Sequence, residues 1–222
     1  MKKVELYLIR HGQTYINKYN RMQGWSDSPL TASGKSDAHN AGIYLRDTQF
    51  QAVYSSDTMR AIKTAKIIMD ESNFPTPERR TSKYLREHFY GYFEGDDSYR
   101  TWFVVGNPYG YKTLEDIAAD RSLDVAKDLM HQTDPYHDAE NAEQFWTRVN
   151  KGLDQLLTEN PNHSRILVVT HGGLIRSLAA KYGNVADGLV HPKNGSLTRM
   201  TLTDEGAQIT SYNKILTPDT ES

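Results

Sequence analysis

Two short apolar runs in this chain stop on the same pair of residues, and few folds put that pattern to use. Val4 to Ile9 is β-prone and long enough for a buried strand, and it gives way to Arg10-His11-Gly12. Arg165 to Thr170 is a second such run, ending in His171-Gly172-Gly173. A helical pattern follows it, with Ile175, Ala179 and Tyr182 on one face beside Leu174 and Leu178. In open α/β sheets the region beyond the carboxyl ends of the strands is where ligands bind. A cation, an imidazole and a glycine placed there suit an anion and a nucleophile or general base. An ordinary strand end with a solvated histidine fits either run alone; two His-Gly pairs at matching positions favour chemistry.

Composition bounds the rest. A chain of 222 residues with 37% hydrophobic and 24% charged residues suits one folded domain with a sizeable core. A net charge of −2 supplies no global field toward nucleic acid or membrane. The absence of cysteine excludes disulfides, thiolate catalysis and cysteine metal sites. No apolar run approaches the ~20 residues of a membrane span, and the first strand opens by residue 4, so a cytoplasmic enzyme or binding protein is expected.

Asn17 to Asp27 is polar and broken by Gly24, and reads as a loop. Thr31 is placed to cap a helix whose Ala38, Ala41 and Leu45 share a face. Gln51 to Tyr54 reads as a strand, and Ser55-Ser56-Asp57 offers caps for a helix over about 58–71. Arg60 falls in the first turn of that helix, where unpaired backbone N–H groups and the dipole suit a phosphate; a solvated surface arginine is the alternative. Nine aromatics crowd into residues 89–111 without clean periodicity, as in an inserted cap, over about 92–140, with its own small core. Ala142, Phe145, Val149, Leu153 and Leu156 then make a strong helical stripe. Leu197 to Leu202 and Ala207 to Tyr212 read as a hairpin, and the tail from Thr217 is short and polar. The expected fold is a three-layer α/β/α sandwich on a mostly parallel sheet with one antiparallel edge strand.

Arg10-His11-Gly12 with Thr14 and Asn17, Gly24-Trp25 with Asp27, Pro29-Leu30-Thr31 with Gly34, Ser55-Ser56 with Arg60, Glu87 with Gly91 and Glu94-Gly95, and Val169-Thr170-His171-Gly172 together resemble the histidine phosphatase superfamily, the phosphoglycerate mutase-like fold. The motifs occur in order and span nearly the whole chain; residues 96–140 align with nothing. The resemblance implies that His11 attacks phosphorus through Nε2. It implies that Arg10, Arg60, His171 and Gly172 line the phosphate pocket, that Asn17, Gln23 and Gly24 complete its near side, and that Glu87 is the general acid and then the base for water. No metal or cofactor is implied, and the partner is a small phosphomonoester.

Elementary chemistry fits those roles. Phosphoryl transfer depends on positioning and charge neutralisation, which arginine forks and a second imidazole supply. A nucleophilic histidine needs its other nitrogen held as a donor, a task for a backbone carbonyl. Glu87 must be protonated at the outset, and burial raises a carboxyl toward that state. His88, next to it, reads as a partly exposed loop residue. Residues 88–135 carry four cations against nine carboxylates, which argues against a polyanionic substrate. A phosphatase for small phosphomonoesters is the expectation; a phosphoglycerate mutase and a non-catalytic phosphate-binding module are the alternatives.

Overall fold

The computed structural model describes residues 1–217; the polar tail beyond Thr217 lies outside the described residues. Six strands form one sheet in the order β3-β2-β4-β1-β5-β6: β1 Lys3–Arg10, β2 Ala52–Ser56, β3 Arg79–Ser82, β4 Arg165–Thr170, β5 Leu197–Thr203 and β6 Gly206–Lys214. The helices are α1 Tyr15–Lys18, α2 Ala32–Leu45, α3 Met59–Asp70, α4 Ser98–Gly106, α5 Leu114–Asp120, α6 Leu123–Thr133, α7 Ala142–Thr158 and α8 Gly172–Tyr182.

The two strands singled out by sequence are neighbours at the sheet's centre. They run parallel in a register that sets Arg10 opposite Thr170, so His11 and His171 leave the sheet side by side. Their side chains alternate between faces, as a strand's period of two demands. Val4, Leu6 and Leu8 of β1 with Ile166 and Val168 of β4 join Phe145, Val149, Leu153 and Leu156 of α7 and Leu174, Ile175 and Leu178 of α8. Tyr7, Ile9, Leu167 and Val169 face the other way, onto Ala41 and Leu45 of α2 and Ala61, Ala65 and Ile68 of α3. The helices that follow β1 and β4 therefore lie on opposite faces, and the crevice between these strand ends is where the sheet leaves room for a ligand. The α/β/α sandwich is as expected, and the β5–β6 hairpin provides the antiparallel pairing at its edge.

Several local expectations need correction. β3 was not foreseen: its Arg79, Arg80 and Thr81 are exposed on a sheet edge and carry no apolar signature. Ser55 and Ser56 do not cap α3. They belong to β2 and are buried, and the side chain of the N-cap, Thr58, makes no capping bond. The first N–H of α3, on Met59, is instead met by the Asp27 carboxylate from a distant loop. Residues 96–140 are not irregular. They hold α4, α5 and α6, folded around a third apolar cluster that includes Met22, Phe93, Trp102, Val105, Ile117 and Met130. Their short helices, with polar caps at Asp97, Thr113 and Ser122, gave no long stripe to read.

The loop after β1 is pressed against α2. A Cβ on Gly34 would lie 2.0 Å from the Gln13 carbonyl oxygen, and one on Gly12 would lie 2.0 Å from the Gly34 carbonyl oxygen. Backbone thus packs on backbone beside His11, with no flexible side chain to yield. Gly34→Ala is expected to cost at least the ~1–3 kcal/mol of an overpacked core and to lower turnover by displacing the His11 loop. Urea denaturation together with a rate assay checks this, and an unchanged midpoint and rate would contradict it.

Candidate active site

His11 is buried, and its Nδ1 lies 2.8 Å from its neighbour's carbonyl, Gly12 O. Arg60 Nε sits 3.2 Å from His11 Nε2. Guanidinium N–H groups only donate. Nε2 must then hold a lone pair and Nδ1 the proton, which is the tautomer a nucleophilic imidazole requires. The same argument fixes His171. Arg60 Nη2 donates to His171 Nδ1 at 3.0 Å, so the His171 proton sits on Nε2. The two rings stand edge to face, 5.2 Å apart.

Arg60 is not a solvated surface residue; it is 1% exposed. Its other donors reach Ser26 O, Asp27 Oδ1 and Gly24 O, so all five N–H groups are committed. Asp27 therefore caps α3 and anchors its arginine at once. Burial, and then the Arg60 and Arg10 charges, push His11 well below its ordinary 6.5. Burial and Arg60 do the same to His171. Both rings are neutral near pH 7.

Arg10 is tethered by one end. Its Nη1 donates to Pro192 O at 2.6 Å and to His191 Nδ1 at 3.1 Å, which leaves Nε without a partner. Burial lowers this guanidinium to about 10, which still leaves it charged. His191 was missed by sequence reading, since it sits in a loop without periodicity. Its ring packs where Gly172 has no side chain: a Cβ there would lie 2.4 Å from His191 Cε1. Among the described residues, the buried side-chain atoms without hydrogen-bond partners are Arg10 Nε, Gln23 Nε2, His171 Nε2 and Ser196 Oγ. Buried polar groups are normally paired. Arg10 Nε, Gln23 Nε2 and His171 Nε2 are thus buried donors left free on residues of the motifs around His11.

Glu87 faces the same cavity. Its Oε2 accepts the Gly173 N–H at 2.7 Å, at the start of α8, and its Oε1 accepts the His88 N–H at 2.9 Å. Burial raises its pKa above the ordinary carboxyl value, against the pull of those two bonds and of Arg60 and Arg10. The loop bearing it is held by contacts that sequence does not reveal. Arg148 of α7 donates to the carbonyls of Tyr84, Arg86 and Glu87 and forms a two-pronged ion pair with Glu140, at 2.6 and 2.7 Å. Trp25 Nε1 adds a bond to Glu87 O. His88, expected to be partly exposed, is 4% exposed; its ring meets Glu140 O at 2.6 Å and packs edge-on against Tyr90 and Phe145. It braces the loop from behind.

A cavity of about 780 Å³ opens above these groups. Arg10, His11, Asn17, Gln23, Glu87 and Gly172 line it. Arg60 and His171, expected to line the pocket, do not line this cavity, although both adjoin the His11 ring. Gly24 is also off the wall, with its N–H on Glu94 and its carbonyl on Arg60. Glu94 gathers the N–H groups of Gly24, Trp25, Ser26 and Tyr90, so its carboxylate shapes the near-side loop. The acidic character of residues 88–135 does not carry over to the cavity. Arg100 and Lys112 line it, with Arg21 beside them, whereas of those nine carboxylates Glu115 alone does so, and it pairs with Arg176. Regional charge was a poor guide because the other carboxylates do not line the cavity: Asp97 and Asp116 cap helices, and Glu94 and Asp134 gather backbone N–H groups.

A family model described as the histidine phosphatase superfamily, branch 1, matches residues 6–102 and 106–215. The chain belongs to that superfamily. A crystal structure of a phosphoglycerate mutase from Bacillus anthracis is similar to this histidine phosphatase-superfamily chain, with 33% identity, a TM-score of 0.89, and coverage of 96% of this chain and 94% of that one. A 2,3-bisphosphoglycerate-dependent phosphoglycerate mutase of Neisseria meningitidis is 31% identical over 198 residues, covering 83% of this chain and 87% of its own. The alpha-ribazole phosphatase of Shigella flexneri shares the fold at 24% identity and a TM-score of 0.68.

Two outcomes test this superfamily member's site. Arg148→Met leaves Glu140 buried without its partner and is expected to cost about 3–5 kcal/mol of stability; a loss within 0.5 kcal/mol, about that of a neutral surface change, would show the clamp to be dispensable. The second concerns pH. His88 is held near pKa 3 by burial, against 6.5 when unfolded, and His11 and His171 are shifted the same way. A depressed pKa contributes stability above pH 6.5 that is lost as pH falls, because the unfolded chain takes up protons that the native state refuses. His191, also held near 3 by burial, adds to this, while Glu87 and Asp37, both raised by burial, work in the opposite direction: two carboxyls against four imidazoles. The unfolding free energy should therefore drop between pH 7.5 and 5.5, and a flat or rising profile would refute the neutral-ring assignment.

Proposed function

We propose that the chain is a phosphatase that moves the phosphoryl group of a small phosphomonoester onto His11 Nε2 and then to water. The observation that carries this reading is the set of unpaired buried donors, Arg10 Nε, Gln23 Nε2 and His171 Nε2, around a histidine whose Nε2 lone pair is fixed by Arg60. In the proposed reaction those donors hold the equatorial oxygens, and the charges of Arg10 and Arg60 offset the anion, as a loose transition state requires. The His11 proton stays on Nδ1, donated to Gly12 O, while Nε2 bonds phosphorus and the ester P–O bond breaks. Glu87 gives its proton to the departing oxygen, then takes one from the water that attacks the phosphohistidine. The arginine charges serve where a metal ion otherwise would, so activity is expected to survive chelation.

A second reading, phosphoglycerate mutase, is supported by Arg21, Arg100 and Lys112 on the cavity wall and by the mutases among the relatives. A doubly phosphorylated intermediate needs cations of that kind. The readings separate by fate of the phosphoryl group: a phosphatase releases inorganic phosphate faster than it interconverts 2- and 3-phosphoglycerate.

Rapid quench with a nitrophenyl phosphate tests the shared step. Acid-labile, base-stable phosphate is expected on His11 and should vanish in His11→Ala. Glu87→Gln should slow an alkyl phosphate by roughly 10²–10⁴-fold, the span of general acid catalysis, and the nitrophenyl burst far less. Label on another residue would overturn the assignment of His11, and equal burst losses for both substrates would remove Glu87 as the acid.

A further inference from the structure

The cavity is far larger than a phosphate and a three-carbon body would fill. Ligand sites of ≈ 300–1,000 Å³ hold drug-sized molecules, and this one is about 780 Å³. Four aromatic rings are part of its lining. Tyr99, Trp102 and Phe103 sit on α4 at spacings of three and four, hence on one face of that helix, and Tyr90 lines the cavity with them. Trp102 is 8% exposed and rooted in the cap's own apolar cluster, which makes the wall rigid. Tyr99 and Phe103 are 75% and 46% exposed. Large rings left in solvent forgo the gain of burying apolar surface. Unlike the exposed rings of Tyr92, Tyr109 and Tyr136, these two line the cavity that holds His11, where a bound molecule can cover them.

We infer that the substrate body is a flat aromatic or heteroaromatic ring that stacks on Tyr99 and Phe103 while its phosphate sits at His11. This rests on the phosphoryl-transfer reading above and names the class of molecule that site takes. A ring suits the wall better than an aliphatic group of equal volume. Flat faces meet flat faces in offset or edge-on geometry, which adds attraction beyond buried area. Arg100, next to Tyr99 on α4, brings a cation to the same wall and would favour a ring's electron-rich face.

The test compares propyl, 3-cyclohexylpropyl and 3-phenylpropyl phosphate, whose leaving oxygens are alike, so rate differences report the body. The full chain should show kcat/KM for the phenyl compound about tenfold or more above propyl, in line with stacking free energies, and severalfold above cyclohexyl, mostly through KM. In Tyr99→Ala/Phe103→Ala the phenyl-to-cyclohexyl ratio should collapse toward one, and in Tyr99→Phe/Phe103→Tyr it should persist. A ratio near one in the unaltered chain, or one that survives the double alanine variant, overturns the ring subsite. If none of the three compounds labels His11, the phosphoryl-transfer reading falls and takes this inference with it.

Discussion

The site depends on one side chain that can only donate. Arg60 reaches a lone pair on His11 and another on His171, and each contact dictates where the proton on that ring must be. Its other N–H groups are spent on the Gly24–Asp27 loop. One guanidinium therefore settles two tautomers and the path of a loop. It does so at the His11 Nε2 edge without itself lining the cavity. A lysine has a single movable charge and could not hold five acceptors in a plane. The loop repays this by supplying Asp27 both as counter-ion and as the cap of the helix that carries Arg60.

Much of this could be read from the residues because it is local. A strand's apolar run and the residue that ends it are adjacent in sequence, so the His11 and His171 positions follow from pattern alone. The helices α2, α7 and α8 were legible for the same reason: their buried faces repeat at helical spacing. The Arg148–Glu140 clamp was not, because a charged pair shows no periodicity and its targets lie some sixty residues away at Tyr84 to Glu87. His88 was misread by the same route. A histidine in a polar, aromatic stretch looks solvated until Glu140 and Phe145 are folded onto it. His191 matters only because Gly172 and Arg10 are brought to it by the fold.

Charge behaved differently from hydrophobicity. Burial is a property of a pattern, and the pattern survives averaging over a segment. The field in a cavity is set by the few groups that face it. Asp97 and Asp116 are turned to helix N-termini, and Asp134 to the backbone N–H groups of its own turn. Arg100 and Lys112 are left to set the potential inside. The energetics of a ligand follow this handful, and a regional sum conceals it.

Met22 and Gln23 are neighbours in sequence with different allegiances. Met22 is sunk in the cap's apolar cluster and exchanges backbone bonds with Gly95 and Asp96, while Gln23 lines the cavity with His11. A single peptide bond thus splices the cap to the floor of the cavity. For anyone transplanting caps between members of this superfamily, the graft boundary cannot fall at the two ends of residues 92–140 alone. Residues 20–24 would have to travel with the transplanted segment, or the new cap would pull the amide of Gln23 out of alignment with the chemistry beneath it.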